Sequence, residues 1–502
     1  MEKYRLFWPD YKLFEYEIEF AHREIQKITN NTDIKNNSLY VEVVGSRNKL
    51  RKLTYFSVIE DNKNRYETDQ HILESYCSIQ NGNSKQSTRY SVHGIHEYKG
   101  KFNPQIIRFL LNYLGISPKE KILDPFCGSG TTLAESIHNG PKSTGIDINP
   151  LAIYISNAKI LALKSSPEQL SQELSSIKKK YTSEKNSKVS LPNTKRIIYL
   201  RKWFPEDTLY SIELLRNVVF TYSNEHNPIF LTILSNLLRE YSLQEPLDLR
   251  IRRRKSPFPE TNISYQFFKK CSNFLMQLER LQKVFPIPKS RLSNAINLDI
   301  TNLDENSIDK FKLFDFDAAI TSPPYATALP YIDTQRLSLV WLDLIEADNI
   351  NKFETNLIGT RDFSGAQKNI WKAELETNIY NLPDEIFSFC LSLRECLNSN
   401  DGFRRQAVPV NLYRYFAQMQ KMFKNVSRML KSKAKYSLVV GHNHTTIGGN
   451  RFDINTPDLL RILAEANNWK LNEQIPLQTY KRYGLNQKNA VSKEDLIILE
   501  NK

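Results

Sequence analysis

The sequence predicts an α/β fold built on a mostly parallel sheet, and three observations predict it. Short apolar runs typical of buried strands alternate with stretches that have the spacing of amphipathic helices. The runs at 121–123 and 143–146 each end on an aspartate, Asp124 or Asp147. A third run, 316–320, stops against two prolines, which lack the N–H groups that a sheet ladder needs. Because parallel strands bring their carboxyl ends to one sheet edge, these features predict a ligand site there.

Length, charge and cysteine content limit the possible classes. The chain has 502 residues, too many for one ordinary core, so we expect several domains or one domain with large insertions. The net charge of +14 favours a polyanionic partner, nucleic acid first, although a basic proteome is a plainer explanation. The five cysteines form no C-x-x-C pair, which argues against disulfides or a zinc knuckle. No run approaches 18 apolar residues and the N-terminus lacks a signal core, so we predict a soluble, cytoplasmic protein.

A glycine turn follows the first strand and opens a helix, in the run Phe126-Cys127-Gly128-Ser129-Gly130-Thr131-Thr132. Glycines let the backbone approach a bound ligand closely. This turn has only G-x-G, a poor match to the G-x-G-x-x-G cradle for a dinucleotide pyrophosphate. The plainer alternative is an ordinary glycine turn between a strand and a helix.

The carboxylates around this turn indicate which ligand it would take. Asp124, directly before it, would repel a phosphate but attract an ammonium group, and Asp147 can bind both hydroxyls of a ribose. A further strand-like run ends in Asp299 and Ile300, where a carboxylate can meet an adenine amino group. A ligand with a ribose, an adenine and a cationic amino-acid tail is S-adenosylmethionine.

The turn Thr321-Ser322-Pro323-Pro324-Tyr325 carries groups that suit the exocyclic amine of a nucleobase. Ser322 offers a hydroxyl, Pro323 a fixed backbone carbonyl and Tyr325 an aromatic face. Such an amine needs acceptors for its N–H protons and a ring for the base to stack on. The plainer alternative is a strand terminator with a packed tyrosine.

Residues 165–291 interrupt the α/β pattern with helix-like stretches and a strong positive charge. They hold 22 Lys and Arg residues against 12 Asp and Glu. The densest basic run comprises Arg250, Arg252, Arg253, Arg254 and Lys255. We expect these side chains to contact DNA phosphates, which position a protein without reading sequence. A solvated charged loop is the plainer alternative.

Two histidine patterns are weak candidates for a metal site. His93 and His96 stand three residues apart, and His442-Asn443-His444 spells an H-N-H triplet. Neither has a second ligand pair nearby in the sequence, so we predict no metal.

Taken together, four motifs resemble those of the amino-group DNA methyltransferases, most closely the cytosine-N4 branch. They are DPFCGSGTT (124–132), GIDINP (145–150), HEYKGKFNPQ (96–105) and TSPPY (321–325). The resemblance covers residues 91–164 and 292–345, and more weakly 410–500. It implies a Rossmann-like fold dependent on S-adenosylmethionine, with helices on both faces of the sheet.

The resemblance also implies roles for the matched residues. The catalytic residues would be Ser322, Pro323, Pro324 and Tyr325. The cofactor would be bound by Lys101, Phe102, Pro104, Asp124, Pro125, Phe126, Gly128, Gly130, Thr131, Asp147, Ile148, Asn149, Asp299 and Ile300. The implied substrate is double-stranded DNA, and the implied partners are a cognate restriction endonuclease or other defence-system subunits.

Three other functions stay open at this stage. Serine in the first position of the S-P-P-Y turn is more typical of cytosine-N4 enzymes, whereas Asp or Asn there is more typical of adenine-N6 enzymes. An RNA methyltransferase of the tRNA guanine-N2 type is an alternative, because similar glycine turns occur in that class. A DNA-binding subunit without catalytic activity is the non-enzyme alternative.

The predicted organisation has six segments. Residues 1–90 form an N-terminal α+β accessory region, and 165–291 a basic helical insertion that is the candidate for target recognition. The methyltransferase core would comprise residues 91–164, 292–345 and 408–502. An irregular segment, 346–407, is a second candidate for target recognition.

Overall fold

The computed structural model describes residues 2–30, 35–36, 39–76, 86–187, 190–288, 290–326, 331–360, 365–479 and 493–502. These residues form a five-stranded sheet near the N-terminus, a central seven-stranded sheet and a two-stranded hairpin. No helix among them is long and apolar enough to span a membrane.

The N-terminal region is an antiparallel sheet covered by one long helix. Its elements are β1 (Glu2–Phe7), α1 (Glu15–Thr29), β2 (Lys35–Asn36), β3 (Tyr40–Gly45), α2 (Arg47–Leu50), β4 (Val58–Glu60), β5 (Arg65–Glu67) and α3 (Asp69–Tyr76). The strand order is β2-β3-β1-β4-β5. Phe20 of α1 stacks on Phe109 of the central fold, with 3.9 Å between the ring centroids. This contact fixes the region against the central sheet's own layer of helices.

The central sheet contains six parallel strands and one antiparallel strand. The seven are β6 (Lys121–Asp124), β7 (Lys142–Asp147), β8 (Ser293–Asn297), β9 (Phe316–Thr321), β10 (Leu430–Gly441), β13 (Trp469–Gln478) and β14 (Lys493–Asn501). The separate hairpin joins β11 (Asn443–Ile447) to β12 (Asn450–Ile454). The order across the sheet is β13-β14-β10-β9-β6-β7-β8, with β14 reversed. The predicted mostly parallel α/β fold is therefore confirmed.

Helices cover both faces of this sheet. One face carries α4 (Pro104–Tyr113), α5 (Thr131–Asn139) and α6 (Pro150–Lys164), and the other carries α12 (Glu305–Phe311), α18 (Val408–Met429) and α19 (Thr456–Glu465). Adjacent residues of the central strand β6 point to opposite faces, as strand geometry requires. Ile122 joins the apolar cluster under α4, and Leu123 joins the cluster under α18. The core thus lies in two layers, one on each side of the sheet.

The insertion predicted between β7 and β8 is helical, as the sequence indicated. Its helices are α7 (Pro167–Glu184), α8 (Lys195–Arg201), α9 (Glu206–Tyr222), α10 (Asn227–Leu238) and α11 (Ile263–Val284), and α13 (Tyr331–Trp341) packs beside them. Ile155 of α6, Leu234 of α10 and Trp341 of α13 are buried in one continuous apolar cluster. The insertion is therefore an outer layer on α6.

The prediction that residues 346–407 are irregular is wrong. They contain α14 (Ile350–Asn356), α15 (Gly365–Thr377), α16 (Asp384–Glu395) and α17 (Phe403–Gln406). Helix α16 buries Ile386, Cys390 and Leu393, a spacing of four and three residues that places them on one helical face. These helices are short and separated by turns, so the helical period is interrupted before it becomes obvious in the sequence.

Candidate active site

The glycine turn between β6 and α5 holds both of its glycines in the left-handed backbone region. The φ angle is +48° at Gly128 and +75° at Gly130. A Cβ atom at Gly130 would lie 2.7 Å from the Ser156 Oγ of α6, closer than real Cβ atoms approach. Position 130 therefore needs glycine for its conformation and for its space.

Two aspartates flank this turn and accept hydrogen bonds from its backbone. The Asp147 carboxylate accepts from the N–H of Gly128 at 2.9 Å and from the N–H of Asn149 at 2.8 Å. Asp124 Oδ1 accepts from the N–H of Phe126 at 3.1 Å. Burial raises the pKa of Asp124 and the pKa of Asp147 to about 6 each. Poorly solvated carboxylates of this kind are stabilised by a nearby cation or by hydroxyl donors.

The strand that ends in the Ser-Pro-Pro-Tyr turn pairs directly with the strand that ends in Asp124. Strand β9 is the parallel neighbour of β6. The buried Thr321 hydroxyl at the end of β9 donates to Asp124 Oδ1 at 2.6 Å. In the sequence, only the place of Thr321 at the end of a predicted strand points to this role. This hydrogen bond joins the two turns that the sequence singled out.

The Ser-Pro-Pro-Tyr turn is held by side chains and backbone from distant parts of the chain. Ser322 Oγ donates to the carbonyl of Val439 at 3.1 Å. The Tyr415 hydroxyl of α18 donates to the carbonyl of Pro324 at 3.0 Å. The Tyr325 hydroxyl donates to Glu494 Oε1 of β14 at 2.9 Å. No sequence pattern connects Tyr415 or Glu494 with this turn, because only the folded sheet brings them to it.

The third predicted carboxylate lies at the same sheet edge but is engaged locally. Asp299 Oδ1 accepts from the N–H and the hydroxyl of Thr301, at 2.9 and 2.8 Å. Ile300 beside it is buried. The Asn297 side chain, which no sequence motif singles out, donates to the carbonyls of Asp147 and Ile148 at 2.9 and 2.8 Å. This amide ties the end of β8 to the turn after β7.

The chain is similar in sequence to known DNA methylases. A DNA methylase family model matches residues 14–158, which include the glycine turn and most of α6. The Type II methyltransferase M.MvaI of Kocuria varians is 26% identical over 81% of this chain and 90% of its own length. The Type II methyltransferase M.BsoBI of Geobacillus stearothermophilus is 26% identical over 58% of each chain. The predicted resemblance to amino-group DNA methyltransferases is confirmed.

Among solved structures, a SAM-dependent methyltransferase of Methanosarcina mazei covers 77% of this chain and 94% of its own. The TM-score is 0.26 at 10% identity, a likeness too small to carry an argument. The fold is instead established by the strand order described above. The chain is a methyltransferase that depends on S-adenosylmethionine.

Three of the predicted cofactor residues, Lys101, Phe102 and Pro104, lie just before α4 or at its start. Lys101 Nζ donates to the carbonyls of Thr88 and His93, at 2.7 and 3.2 Å, and burial lowers its pKa well below the ordinary value. Phe102 packs against the apolar cluster under α4, and Pro104 is the first residue of that helix. Lys101 is thus engaged with backbone of its own segment.

The other predicted cofactor residues lie in or beside the two turns. Pro125 and Thr131 are buried, while Phe126 and Ile148 are partly exposed. Asn149 starts α6, where its side chain accepts from the N–H of Leu151 at 3.0 Å. Its amide also donates to Gln335 of α13 at 2.6 Å. Asn149 therefore ties the turn after β7 to the helix that follows the Ser-Pro-Pro-Tyr segment.

The basic run of the insertion forms an irregular hairpin close to α13. Gln244 bridges to Arg253, and its amide donates to the carbonyl of Asp333 in α13 at 3.0 Å. Arg253 lies 4.8 Å from the centroid of the Trp203 ring. The side chains of Arg250, Arg252 and Lys255 are exposed, and Arg252 pairs with Asp248 at 2.9 Å.

Arg254 differs from its basic neighbours. Its guanidinium donates to the carbonyls of Glu240, Ser242, Ser256 and Pro257, at 2.6 to 3.1 Å. Four backbone acceptors hold this side chain within the hairpin. The residue therefore maintains the hairpin's shape, a use of charge that the sequence could not distinguish from contact with a phosphate.

The fold brings His93 together with two side chains of α5 that lie about 40 residues further along the chain. The ligand atoms of His93, Glu135 and His138 lie within 4.8 Å of one another, a spacing that could hold a metal ion. Arg108 lies 3.9 Å from the Glu135 carboxylate, however, and the Tyr90 hydroxyl donates to it at 2.8 Å. A metal ion bound here would be repelled by the positive charge of the Arg108 guanidinium in the same buried space.

Proposed function

We propose that the chain is a site-specific DNA methyltransferase that transfers a methyl group to the exocyclic amine of a flipped base, cytosine N4. The observation that carries the proposal is the hydrogen bond from Thr321 to Asp124. It sets the Ser-Pro-Pro-Tyr turn beside the turn proposed for the cofactor, so that donor and acceptor of the methyl group meet at adjacent strands. Serine at position 322 favours cytosine over adenine, through the resemblance described above.

The contacts of Ser322 and Tyr325 support their proposed roles. Because the Ser322 proton is donated to the carbonyl of Val439, lone pairs of the hydroxyl oxygen remain to accept a proton from an amine. The Tyr325 ring is held by its hydroxyl bond to Glu494, which orients a face for a base to stack on. Stacking and positioning of this kind can lower the activation barrier of methyl transfer by on the order of several kcal/mol.

The proposed chemistry is direct transfer without a covalent enzyme intermediate. Hydrogen bonds from the amine to Ser322 Oγ and to the Pro323 carbonyl draw the nitrogen toward tetrahedral geometry and free its lone pair. S-adenosylmethionine, when bound, would supply an electrophilic methyl group on its sulfonium sulfur: the N–C bond would form as the S–C bond breaks, S-adenosylhomocysteine would leave, and the amine would lose one proton. Cys127 is not the nucleophile in this scheme, and burial raises the pKa of its thiol well above the ordinary value.

We further propose that the basic hairpin contacts the DNA backbone through Arg250, Arg252 and Lys255, while Arg253 and Arg254 hold its shape. The link from Gln244 to Asp333 of α13 supports this, because α13 is the helix that follows the Ser-Pro-Pro-Tyr segment. A target base must leave the duplex to reach a pocket at the sheet edge. Phosphate contacts beside that pocket would hold the duplex during this step.

The Type II relatives make a partner restriction endonuclease the expected biological context. Methylation of the recognition sequence would protect host DNA from that nuclease. A host that carries the partner nuclease should tolerate it only when the Ser-Pro-Pro-Tyr turn is intact.

The deciding experiment is nucleoside mass spectrometry of DNA from cells that express the protein. We expect N4-methylcytosine with the natural sequence and none with a Pro323→Ala, Tyr325→Ala variant expressed at the same level. N6-methyladenine would retain the mechanism and overturn the assignment of the base. Unmodified DNA together with methylated RNA would support the RNA alternative instead.

A further inference from the structure

Two side chains of α6, about one helical turn apart, donate hydrogen bonds to backbone carbonyls of the glycine turn. Ser156 Oγ donates to the carbonyl of Gly128 at 2.8 Å. Lys159 Nζ donates to the carbonyl of Ser129 at 2.6 Å and to its hydroxyl at 3.2 Å. The two carbonyls at the centre of the turn are therefore both bound to α6.

This arrangement directs the backbone of the turn. In a trans peptide the C=O and the N–H point in opposite directions. Because Ser156 holds the Gly128 carbonyl, the N–H of Ser129 in the same peptide unit points away from α6. Because Lys159 holds the Ser129 carbonyl, the N–H of Gly130 is directed to the carbonyl of Cys127, at 2.8 Å.

Burying the Lys159 side chain at this position costs folding free energy. Its side chain is 0% exposed, and burial lowers the pKa of its amine to about 7. Both hydrogen-bond acceptors, the carbonyl and the hydroxyl of Ser129, are uncharged. The titratable groups that face it are His93, His96, Lys101 and Cys127. A neutral side chain would support an ordinary helix contact at lower cost.

We propose that Lys159 is a positioning residue for the cofactor, which fixes the glycine turn in its binding shape before the cofactor arrives. The proposal rests on the proposed function only in that the glycine turn binds S-adenosylmethionine. The gain is preorganisation: a turn already held by α6 loses less conformational freedom on binding. The residue itself need not touch the cofactor.

The test compares Lys159→Met with Lys159→Gln, using binding of S-adenosylhomocysteine by calorimetry and thermal unfolding without ligand. Methionine removes the donor and the buried charge, whereas glutamine removes the charge and retains an N–H donor. We expect Lys159→Met to bind about tenfold more weakly while its unliganded melting temperature stays equal or rises. Lys159→Gln should bind within about threefold of the natural protein. In methylation assays the KM for the cofactor should rise in Lys159→Met, with kcat within about twofold.

Several outcomes would overturn the proposal. Natural affinity in Lys159→Met would show that the turn needs no such support. Loss of the unliganded fold in Lys159→Met, or a tenfold affinity loss in Lys159→Gln, would show that the lysine serves folding or charge instead. The binding assay contains no DNA, so unmethylated DNA with intact binding would count against the proposed function alone. Absence of binding by the natural protein would refute both.

Discussion

The two turns that meet at the centre of the sheet edge are supported in different ways. The glycine turn is held by groups that follow it closely, with hydrogen bonds spanning 19, 28 and 30 residues. The Ser-Pro-Pro-Tyr turn is held by groups 91, 117 and 169 residues away. The cofactor half is therefore a locally encoded unit, whereas the catalytic half is assembled from three distant parts of the chain.

This difference implies that the two halves can be damaged separately. A change in the glycine turn or its aspartates should weaken cofactor binding and leave DNA binding intact. A change in the Ser-Pro-Pro-Tyr turn should reduce the rate and leave cofactor binding intact. The Thr321–Asp124 hydrogen bond is the point at which the two halves are coupled.

The largest difference between the effect on rate and the effect on cofactor binding is expected from Tyr325→Ala. Loss of base stacking, about 1–3 kcal/mol, together with loss of base positioning, should lower kcat by roughly 100-fold or more. The Kd for S-adenosylhomocysteine should stay within about twofold, as measured by calorimetry. Tyr325→Phe, which keeps the ring and removes the hydroxyl that donates to Glu494, is the matched control and should cost about tenfold in kcat. Equal losses of rate and cofactor affinity in Tyr325→Ala would refute the separation.

Asp147→Ala should produce the opposite phenotype. The change removes a carboxylate that accepts two backbone N–H bonds and that we propose binds the ribose, so the cofactor Kd should rise about 10- to 100-fold. Gel-shift affinity for DNA should not change. Asp309→Ala, on the exposed side of α12, is the matched control and should behave as the natural protein. A parallel fall in DNA affinity would argue that Asp147 supports the whole fold.

Thr321→Val should affect both halves at once, and less strongly. The substitution keeps the shape of the side chain but removes the hydroxyl that donates to the buried Asp124. A lost hydrogen bond to a charged group costs about 1.5–3 kcal/mol, or roughly 10- to 150-fold, and we expect a total loss at the lower end of this range, divided between kcat and cofactor Kd. Thr377→Val, on an exposed helix position, is the control. A change confined to one parameter would show that the bond does not couple the two turns.

The smallest expected effect is a pair of opposite pH dependences. The folded pKa of about 6 for Asp124 and Asp147 lies above that of the unfolded chain, near 4. The folded state thus binds more protons between these values, and the contribution to stability is lost as pH rises from about 4 through 6. Cofactor affinity should increase over the same window, because the carboxylate form binds the ammonium group and the ribose.

Urea midpoints and calorimetric Kd values between pH 4.5 and pH 8 would measure both trends. Asp124→Asn removes the contribution of one carboxyl to the pH dependence, because asparagine keeps the size of the side chain and does not titrate. The free energy of unfolding of this variant should change less with pH over this window than that of the natural protein. Stability and cofactor affinity that rise together in the natural protein would contradict the assignment.

The locally encoded half was the more predictable one. The spacing of Asp124, the glycines and Asp147 predicts a strand, a turn, a helix and a second strand, and the structure has each of these elements between residues 121 and 147. The supporting roles of Tyr415, Glu494 and Lys159 depend on which elements become neighbours, and no local pattern carries that information. Their importance for function remains a prediction, as do the roles of the matched site residues.

Charge was a weaker guide than spacing. Arg252 and Arg254 look alike in the sequence. The Arg252 side chain is exposed, whereas the Arg254 guanidinium donates to backbone carbonyls. The helices of residues 346–407 were missed for a related reason. Each helix has few turns, so its apolar residues repeat too few times to show a clear helical period in the sequence.

The strand order has a consequence for synthesis of the chain. Strand β6 needs β7 on one side and β9 on the other, and Thr321 of β9 follows Asp124 by 197 residues. At about 5–20 residues per second, roughly 10 to 40 s pass between the emergence of the two strands. During that interval the nascent chain presents an open β6 edge, which can pair with other chains. A shorter insertion would reduce this exposure, and chaperones that cover strand edges should raise the yield of the folded protein.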